Sequence, residues 1–487
     1  MLKSIELTGE QKKVLFLPPQ NPIQVKGVAG SGKTTVSLYR AKQLIETQNQ
    51  LFSRANVAIF TYNKTLAAYI DEAKAHIRSI YNKDGEESVT NSGLDIQVTN
   101  FHKWAYSFAR INNNQVVKPW DQERFIQNAI AQQKSKDPSN SILIKSVDFF
   151  KDEISWMKGK LFETEMEYLD APRAGRGTTD RVTKSHKSTI WGVFKHYKRL
   201  MNENDKIDFD DFALLALKKI EMNPGFKPPF SHLVVDEAQD LNKAQILTLS
   251  KLVSEDTNSI TIIADAAQRI YKSGFTWKEV GINVQGGRSI AFKKNYRNTL
   301  NIARAAYNLL EKEDDQSEFT ESECSHLKKG EMPKFIQFSS QAEELNWLVG
   351  TLNRIDNPSS TVILHRTQKG VKECHAFLER YGVRTEIIKG QVHYFNNALK
   401  VCTMSSIKGL EFDNVIIIDL NDDLVPYPPG FIDENDEHHI STERRLLYTC
   451  MTRARKNLIM LSSSKPSRYL KDIDSNLIEK LNFSIQI

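Results

Sequence analysis

Short apolar runs alternate with longer amphipathic stretches along most of this chain. Residues 22–26, 57–61, 95–99, 232–236 and 259–264 are compact runs, rich in Val, Ile and Thr, of the length of a buried strand. Between them, 34–45, 64–79 and 101–110 carry apolar residues at helical spacing. The rhythm returns with strands at 334–338, 361–364, 400–404 and 415–420, and helices between them. Strands that alternate with helices build parallel sheets with helices on both faces. The interval 111–205 breaks the pattern. It is polar, mainly helical, and reads as an inserted subdomain. The predicted architecture is therefore α/β, with two parallel-sheet domains. The first combines 1–110 with 206–290, interrupted by a helical insertion at 111–205, and the second spans 291–487.

Composition narrows the class. A length of 487 residues suits about three domains, and a hydrophobic share of 40% supports real cores. Mean hydropathy is −0.46. No window holds the ~18 uninterrupted apolar residues that a membrane helix needs. The opening Met1-Leu2-Lys3-Ser4 lacks the apolar run of a signal peptide. A cytoplasmic protein without a membrane partner is expected. Cys324, Cys374, Cys402 and Cys450 are widely spaced, form no C-x-x-C pair, and suit buried small hydrophobes better than zinc or a disulfide frame. The net charge of +6 is unevenly spread. Residues 171–200 hold eight Lys or Arg against one acid, Asp180, with Trp191, Phe194 and Tyr197 interleaved. A basic face with aromatics suits nucleic acid. The three-residue spacing of those aromatics equally suits a core stripe on a helix. Arg173, Arg176 and Arg181 lie in a Gly/Thr-rich segment suited to attracting duplex phosphates or to docking a protein. The intervals 311–323 and 421–438 are acidic and read as surface connections.

The chemistry is carried by Gly27-Val28-Ala29-Gly30-Ser31-Gly32-Lys33-Thr34, which fits the pattern G-x-x-x-x-G-K-[ST] between a predicted strand and a predicted helix. Bare backbone N–H groups must point inward around a polyphosphate, and a Cβ would obstruct them. Residues 27–35, through Thr35, form the expected cradle for ATP. Lys33 is placed to reach the β/γ-phosphates and the Thr34 hydroxyl to ligate Mg²⁺. The run His232-Leu-Val-Val-Asp236-Glu237-Ala-Gln-Asp240 is an apolar strand that ends in acids. A carboxylate at a strand tip beside a phosphate loop suits Mg²⁺, which assigns Asp236. Glu237 follows as the group that orients or deprotonates the attacking water.

With both segments in place, the chain resembles the UvrD/Rep-type helicases of superfamily 1 over nearly its whole length. That resemblance implies two RecA-like domains. It makes Gln11, in Leu7-Thr-Gly-Glu-Gln11, the adenine reader. Phe60-Thr-Tyr-Asn63-Lys64 and Thr99-Asn-Phe101-His102 are similar to motifs that contact the nucleic-acid strand, which nominates Asn63, Phe101 and His102. Ile207-Asp-Phe-Asp-Asp-Phe212 is similar to an acidic-aromatic segment of the family. Gln268, in Ile262-Ile-Ala-Asp-Ala-Ala-Gln268, corresponds to a sensor of the γ-phosphate. Asn295-Tyr296-Arg297 resembles a motif whose tyrosine stacks on the base and whose arginine touches the γ-phosphate. Lys408-Gly-Leu-Glu411-Phe412 places Glu411 near the ribose. The stretch ending in Thr452-Arg453-Ala-Arg455 supplies Arg453 as an arginine finger. Because Arg297 and Arg453 belong to the second sheet or its edge, ATP is expected in the cleft between the two domains.

The chain also departs from the family pattern. The tryptophan that stacks on a base in relatives has no aligned equivalent, and Trp277 or Phe275 is the nearest substitute. Ser405 replaces a histidine ahead of Lys408. Relatives carry a large insertion in the second domain, yet here 385–388 and 400–403 are joined by about a dozen residues. No nuclease sequence is expected in the roughly thirty residues after Arg455. The resemblance implies an ATP-dependent, 3′-to-5′ DNA helicase or single-strand translocase that meets single strands and duplex junctions. The compact second domain equally suits a nucleic-acid-dependent ATPase that serves as sensor or regulatory subunit beside a nuclease or other protein. RNA in place of DNA, and roles in repair, replication or antiviral defence, are left open by the residues.

Overall fold

The computed structural model describes residues 7, 9–28, 30–51, 55–62, 64, 66–71, 96–171, 182–265, 275–310, 327–352, 358–388, 397–427 and 437–482. Six parallel strands form the first sheet: β1 (Ile23–Gly27), β2 (Val57–Thr61), β3 (Ile96–Asn100), β4 (His232–Val235), β5 (Ser259–Asp265) and β6 (Ser289–Phe292). Their order is β3-β2-β4-β5-β1-β6. The phosphate-loop strand β1 sits between β5 and β6, while β4 and β5 are neighbours. The carboxyl ends of β1, β4 and β5 therefore converge, which is where open parallel sheets bind ligands.

The second sheet has seven strands: β7 (Lys334–Gln337), β8 (Thr361–His365), β9 (Thr385–Ile387), β10 (Leu399–Thr403), β11 (Phe412–Ile417), β12 (Ala454–Ser462) and β13 (Glu479–Asn482). Their order is β13-β7-β12-β11-β8-β10-β9, again all parallel. Central strands such as β2, β4, β5, β8 and β10 are buried along their whole length, as expected of strands with helices on both faces. Each sheet separates two apolar cores. The four strands β6, β9, β12 and β13 were not among those predicted from periodicity. Two of them, β6 and β13, are exposed edge strands with little apolar signal.

The interval between the two parts of the first sheet is helical. Its helices Pro119–Lys134, Val147–Lys160, Glu165–Asp170 and Lys184–Glu203 enclose a core of their own. Trp191, Phe194 and Tyr197 belong to that core, so their spacing is that of a helix stripe and not of a stacking platform. Lys187 is buried too, and its ammonium donates to the carbonyls of Tyr168, Leu169 and Ala171. It thereby satisfies carbonyl groups at the end of the preceding helix. Arg173, Arg176 and Arg181 lie outside the described residues.

A buried lysine ties this helical region back to the first sheet's domain. Lys158 Nζ lies 2.8 Å from Asp208 and 2.7 Å from Asp211, and the Tyr197 hydroxyl donates to Asp208 at 2.7 Å. These charges sit in low dielectric but are mutually satisfied, the condition under which a buried pair is tolerated.

Two expected strand-contacting groups are corrected by their burial. Phe101 is 0% exposed and packs beneath β2 and β4 with Phe60, Leu233 and Val235. Trp277 is 9% exposed, packs edge-on against Phe275 and belongs to the same core. Neither ring offers a free face to a base. Trp277→Ala is therefore expected to lower stability by about 3 kcal/mol through cavity formation. Thermal or denaturant unfolding checks this. Unchanged stability would return Trp277 to the strand-binding face.

Candidate nucleotide cleft and nucleic-acid face

The loop after β1 can form only with glycines at its turns. Gly30 and Gly32 adopt φ of +78° and +80°. A Cβ on Gly27 would meet Ser31 Oγ at 2.4 Å, on Gly30 the Asn295 Oδ1 at 2.1 Å, and on Gly32 the Gln11 Nε2 at 2.5 Å. The helix Lys33–Leu51 starts at once, directing its free N–H groups and positive dipole end at the loop. Gln11 Nε2 donates to Ser31 O at 2.9 Å, and the Tyr296 N–H donates to Gly30 O at 2.8 Å. The loop is thus gripped from both sides by the segments expected to read the base. Arg40 secures the first of these. Its guanidinium donates to the carbonyls of Val14, Leu17 and Pro18, pinning the chain beyond Gln11 to the phosphate-loop helix.

Lys33 folds its ammonium over the loop, 2.9 Å from Gly27 O and 3.0 Å from Val28 O, and pairs with Asp265 at 3.2 Å. Asp265 ends β5 as Asp236 follows β4. It was visible in the sequence as a strand-tip acid but was given no role there.

Asp236 is fully buried. Its Oδ1 accepts the Glu237 N–H at 3.0 Å, and among the described residues its Oδ2 meets no donor in good hydrogen-bond geometry. Burial and the adjacent Glu237 push this carboxyl up to about 7, against the Thr34 hydroxyl and Lys33. A buried carboxylate oxygen that has only a threonine hydroxyl beside it fits a divalent cation. Among the described residues no cluster of three or more His, Cys, Asp or Glu could cage a metal. Mg²⁺ needs no such cage, since it takes one or two protein oxygens together with substrate phosphates.

Glu237 occupies a left-handed backbone conformation, φ 53° and ψ 40°. Such strain in a non-glycine residue is retained where the surroundings over-determine it. Its carboxylate accepts from Gln239 Nε2, and Gln239 Oε1 in turn accepts the Asp265 N–H at 3.0 Å. Burial pushes Glu237 up, but Lys408, Lys33 and Arg453 hold its carboxyl below the ordinary range. Two of those three cations come from the second half of the chain.

The cleft is lined from both halves. Gly30 to Thr35, Glu237 and Asp265 face Arg297, Lys408, Gly409, Glu411 and Arg453. Arg297 pairs with Glu411 and donates to Thr452 O at 3.3 Å. Arg453 is buried, donates through Nε to Thr449 O at 3.0 Å, and is lowered to about 10 by burial and by Arg297. Two arginines held side by side in low dielectric suit an anion. Lys408 reaches Asp240 of the first half at 2.6 Å. Neither Lys408 nor Asp240 was assigned from sequence, although both stand in the quoted motifs. Ala29, Asn63 and Gln268 lie outside the described residues.

An aromatic patch flanks this cleft. Tyr62 is 43% and Phe209 53% exposed. The His102 ring lies between them, 6.4 Å from Tyr62 and 5.8 Å from Phe209. Burial lowers His102 to about 4, so it is a neutral ring near neutral pH. With Phe101 and Trp277 inside the core, Tyr62 and Phe209 are, among the described residues, the exposed rings beside His102. Phe209 stands in the acidic-aromatic segment read from the sequence, where the alternation of acids and rings could have singled it out.

Comparison with known proteins places this geometry. A model of the UvrD/REP helicase N-terminal domain matches residues 7–276, and one of the UvrD-like helicase C-terminal domain matches 290–399 and 393–465. The chain is similar to the ATP-dependent DNA helicase PcrA of Staphylococcus epidermidis, 24% identical over 411 residues, covering 78% of this chain and 51% of that protein. It is also similar to a probable DNA helicase II homolog of Mycoplasma capricolum, 25% identical over 310 residues, covering 61% of this chain and 38% of that protein. PcrA of Staphylococcus aureus is 24% identical over 311 residues, covering 61% and 39%. The chain thus spans about half the length or less of these relatives. The two family models together cover most of the chain, in the order of its two sheets, and the chain belongs to the UvrD/REP helicase family.

Proposed function

We propose that this chain hydrolyses ATP in the cleft between its sheets and uses the cycle to move 3′ to 5′ along single-stranded DNA. The observation that supports this most is the convergence of Lys33 and Glu237 from one half with Arg297 and Arg453 from the other on a single cleft. Phosphoryl transfer builds charge on the γ-phosphate oxygens, and catalysis is mostly positioning and electrostatics. In this reading the loop 27–35 holds the polyphosphate and Lys33 exchanges its contacts with loop carbonyls and Asp265 for phosphate. Glu237 orients the attacking water and accepts its proton, for which its anionic state is required. Arg297 and Arg453 stabilise the charge on the departing phosphoryl group, and Gln268 senses it. Gln11, Tyr296 and Glu411 hold the base and ribose. Thr34 and Asp236 would hold Mg²⁺, which supplies positive charge to the phosphates when bound.

Arginines from the second half meet the phosphate only if the cleft is closed, so nucleotide binding and hydrolysis alternately draw the halves together and release them. Motion along a strand follows if each half grips nucleic acid in turn. Tyr62, His102 and Phe209 provide the aromatic grip on the first half, with ~1–3 kcal/mol per stacked base.

A second reading is favoured by one observation. Strands β9 and β10 are separated by residues 388–398 alone, which leaves no room for a further domain between them. A chain of this compactness suits a nucleic-acid-stimulated ATPase that senses DNA for a partner protein and unwinds little. Strand displacement on 3′-tailed and 5′-tailed duplexes, run beside ATPase assays, separates the two readings. Displacement of 3′-tailed substrates alone supports the translocase. Stimulated ATPase with no displacement supports the sensor. Preference for an RNA strand in the same assay would reassign the substrate.

Three substitutions test the roles. Glu237→Gln should retain ATP binding and lose turnover, and a native rate would remove Glu237 from the mechanism. Arg453→Ala should lower kcat by about 10³-fold or more, with a much smaller loss of nucleotide affinity, because the arginine acts on transition-state charge. Phe209→Ala should weaken single-strand binding by about tenfold while basal ATPase persists, measured by fluorescence anisotropy and phosphate release.

A further inference from the structure

The turn 237–240 carries the carboxylate that the proposed hydrolysis depends on, and it is held at both ends. The Asp240 N–H donates to Glu237 O at 3.0 Å, closing a tight turn in which Glu237 has positive φ. Gln239 ties the middle of the turn to Glu237 and to the end of β5. These ties lie within the first half of the chain.

The far end of the turn is held from the other half. Lys408 Nζ lies 2.7 Å from Asp240 Oδ1 and 2.6 Å from its Oδ2. The two residues are 168 positions apart. Their side chains are 24% and 19% exposed, so water screens the pair only partly. The loop that bears Lys408 is seated against the first half. Gly409 adopts φ +86°, a conformation that favours glycine, and its Cα approaches the Leu66 side chain so closely that a Cβ would meet Leu66 Cδ1 at 2.8 Å. Lys408 also lines the nucleotide cleft with Glu237. Tyr62 of the aromatic patch lies within electrostatic reach of both partners, Asp240 raising its hydroxyl and Lys408 opposing.

We propose that Lys408 is a positioning residue supplied across the cleft: it holds Asp240 so that the turn 237–240 is aligned for hydrolysis only when the two halves are closed. The proposal rests on ATP hydrolysis in this cleft. An exposed ion pair contributes about 0–1 kcal/mol and its loss would go unnoticed. A partly buried bidentate pair that sets a strained catalytic turn acts differently, because misplacement of about 1 Å can cost about 10²-fold in rate. Loss of the pair should therefore appear in kcat and in closure, with little effect on ATP binding, which uses the loop 27–35.

The test is a double-mutant cycle on the full chain with Lys408→Met, Asp240→Asn and the combination, with Lys408→Arg as the conservative variant. Asp240→Asn preserves shape and guards against a folding defect, which thermal unfolding monitors. Each single variant should lower kcat by about tenfold or more while ATP affinity changes by less than about threefold, and the double should be no worse than the worse single. Lys408→Arg should recover part of the rate. Small-angle scattering should show the native chain contracting with a non-hydrolysable ATP analogue and the variants contracting less. The proposal is overturned by multiplicative losses in the double variant, by near-native kcat in the singles, or by undiminished contraction. Absence of ATPase in the native chain would instead count against the cleft reading, and scattering would still decide whether the pair governs closure.

Discussion

A carboxylate with little access to water must be balanced by cations, and in this chain those cations come from both ends of the sequence. Glu237 is buried, yet it is held ionised by Lys33 beside it and by Lys408 and Arg453 from the second half. The arrangement has physical consequences. Neither half alone satisfies the charges of the cleft, so the electrostatics favour apposition of the two sheets. The same apposition concentrates positive charge where a polyphosphate would sit. Lys33 pairs with Asp265 and Arg297 with Glu411. Each pair keeps a cation satisfied in the protein alone, and in the proposed reading each cation would exchange its partner for phosphate oxygens.

The parallel topology is what makes such a cleft available. Turns that leave the carboxyl ends of β1, β4 and β5 face the same way, so the phosphate loop, Asp236, Glu237 and Asp265 meet without any distortion of the sheet. The second sheet supplies its residues at element ends as well. Lys408 and Glu411 lie between β10 and β11, and Arg453 immediately precedes β12. Strands deep in the core set these positions rigidly, while the turns at their ends carry the strain, as the left-handed Glu237 shows. The aromatic patch adjoins the same turns through Tyr62, which feels the charge of Asp240 and meets the His102 ring edge-on. A strand held on that patch and a nucleotide held in the cleft would therefore press on neighbouring residues.

Much of this was legible in the sequence because the signals are local. Residues 27–34 must be glycine-rich for reasons of backbone geometry, and strands such as 57–61 declare themselves by continuous apolar character. The convergence of Arg297 and Arg453 on the loop was inferred through family resemblance, since no local pattern reveals a contact between a loop near Met1 and residues hundreds of positions away. The aromatic assignments fared worst. Phe101 and Trp277 stand in motifs with other polar residues, yet periodicity cannot say which face of a short helix or turn is inward, and both rings entered the core. Phe209 is exposed although its neighbour Asp208 is buried, so the alternation of acids and rings does not by itself say which side faces out. The partnership of Lys408 with Asp240 is a tertiary fact with no sequence period, and only the folded chain displays it.

The central claim is that one nucleotide is grasped by both halves at once. A structure of the chain with ADP and a planar γ-phosphate mimic such as aluminium fluoride tests it most directly. The account predicts Lys33, Arg297 and Arg453 within hydrogen-bonding reach of the mimic, about 2.7–3.1 Å from its oxygens, with Glu237 facing the water opposite the leaving group. Arg297 and Arg453 remaining about 10 Å or more from the mimic in a closed cleft would contradict it.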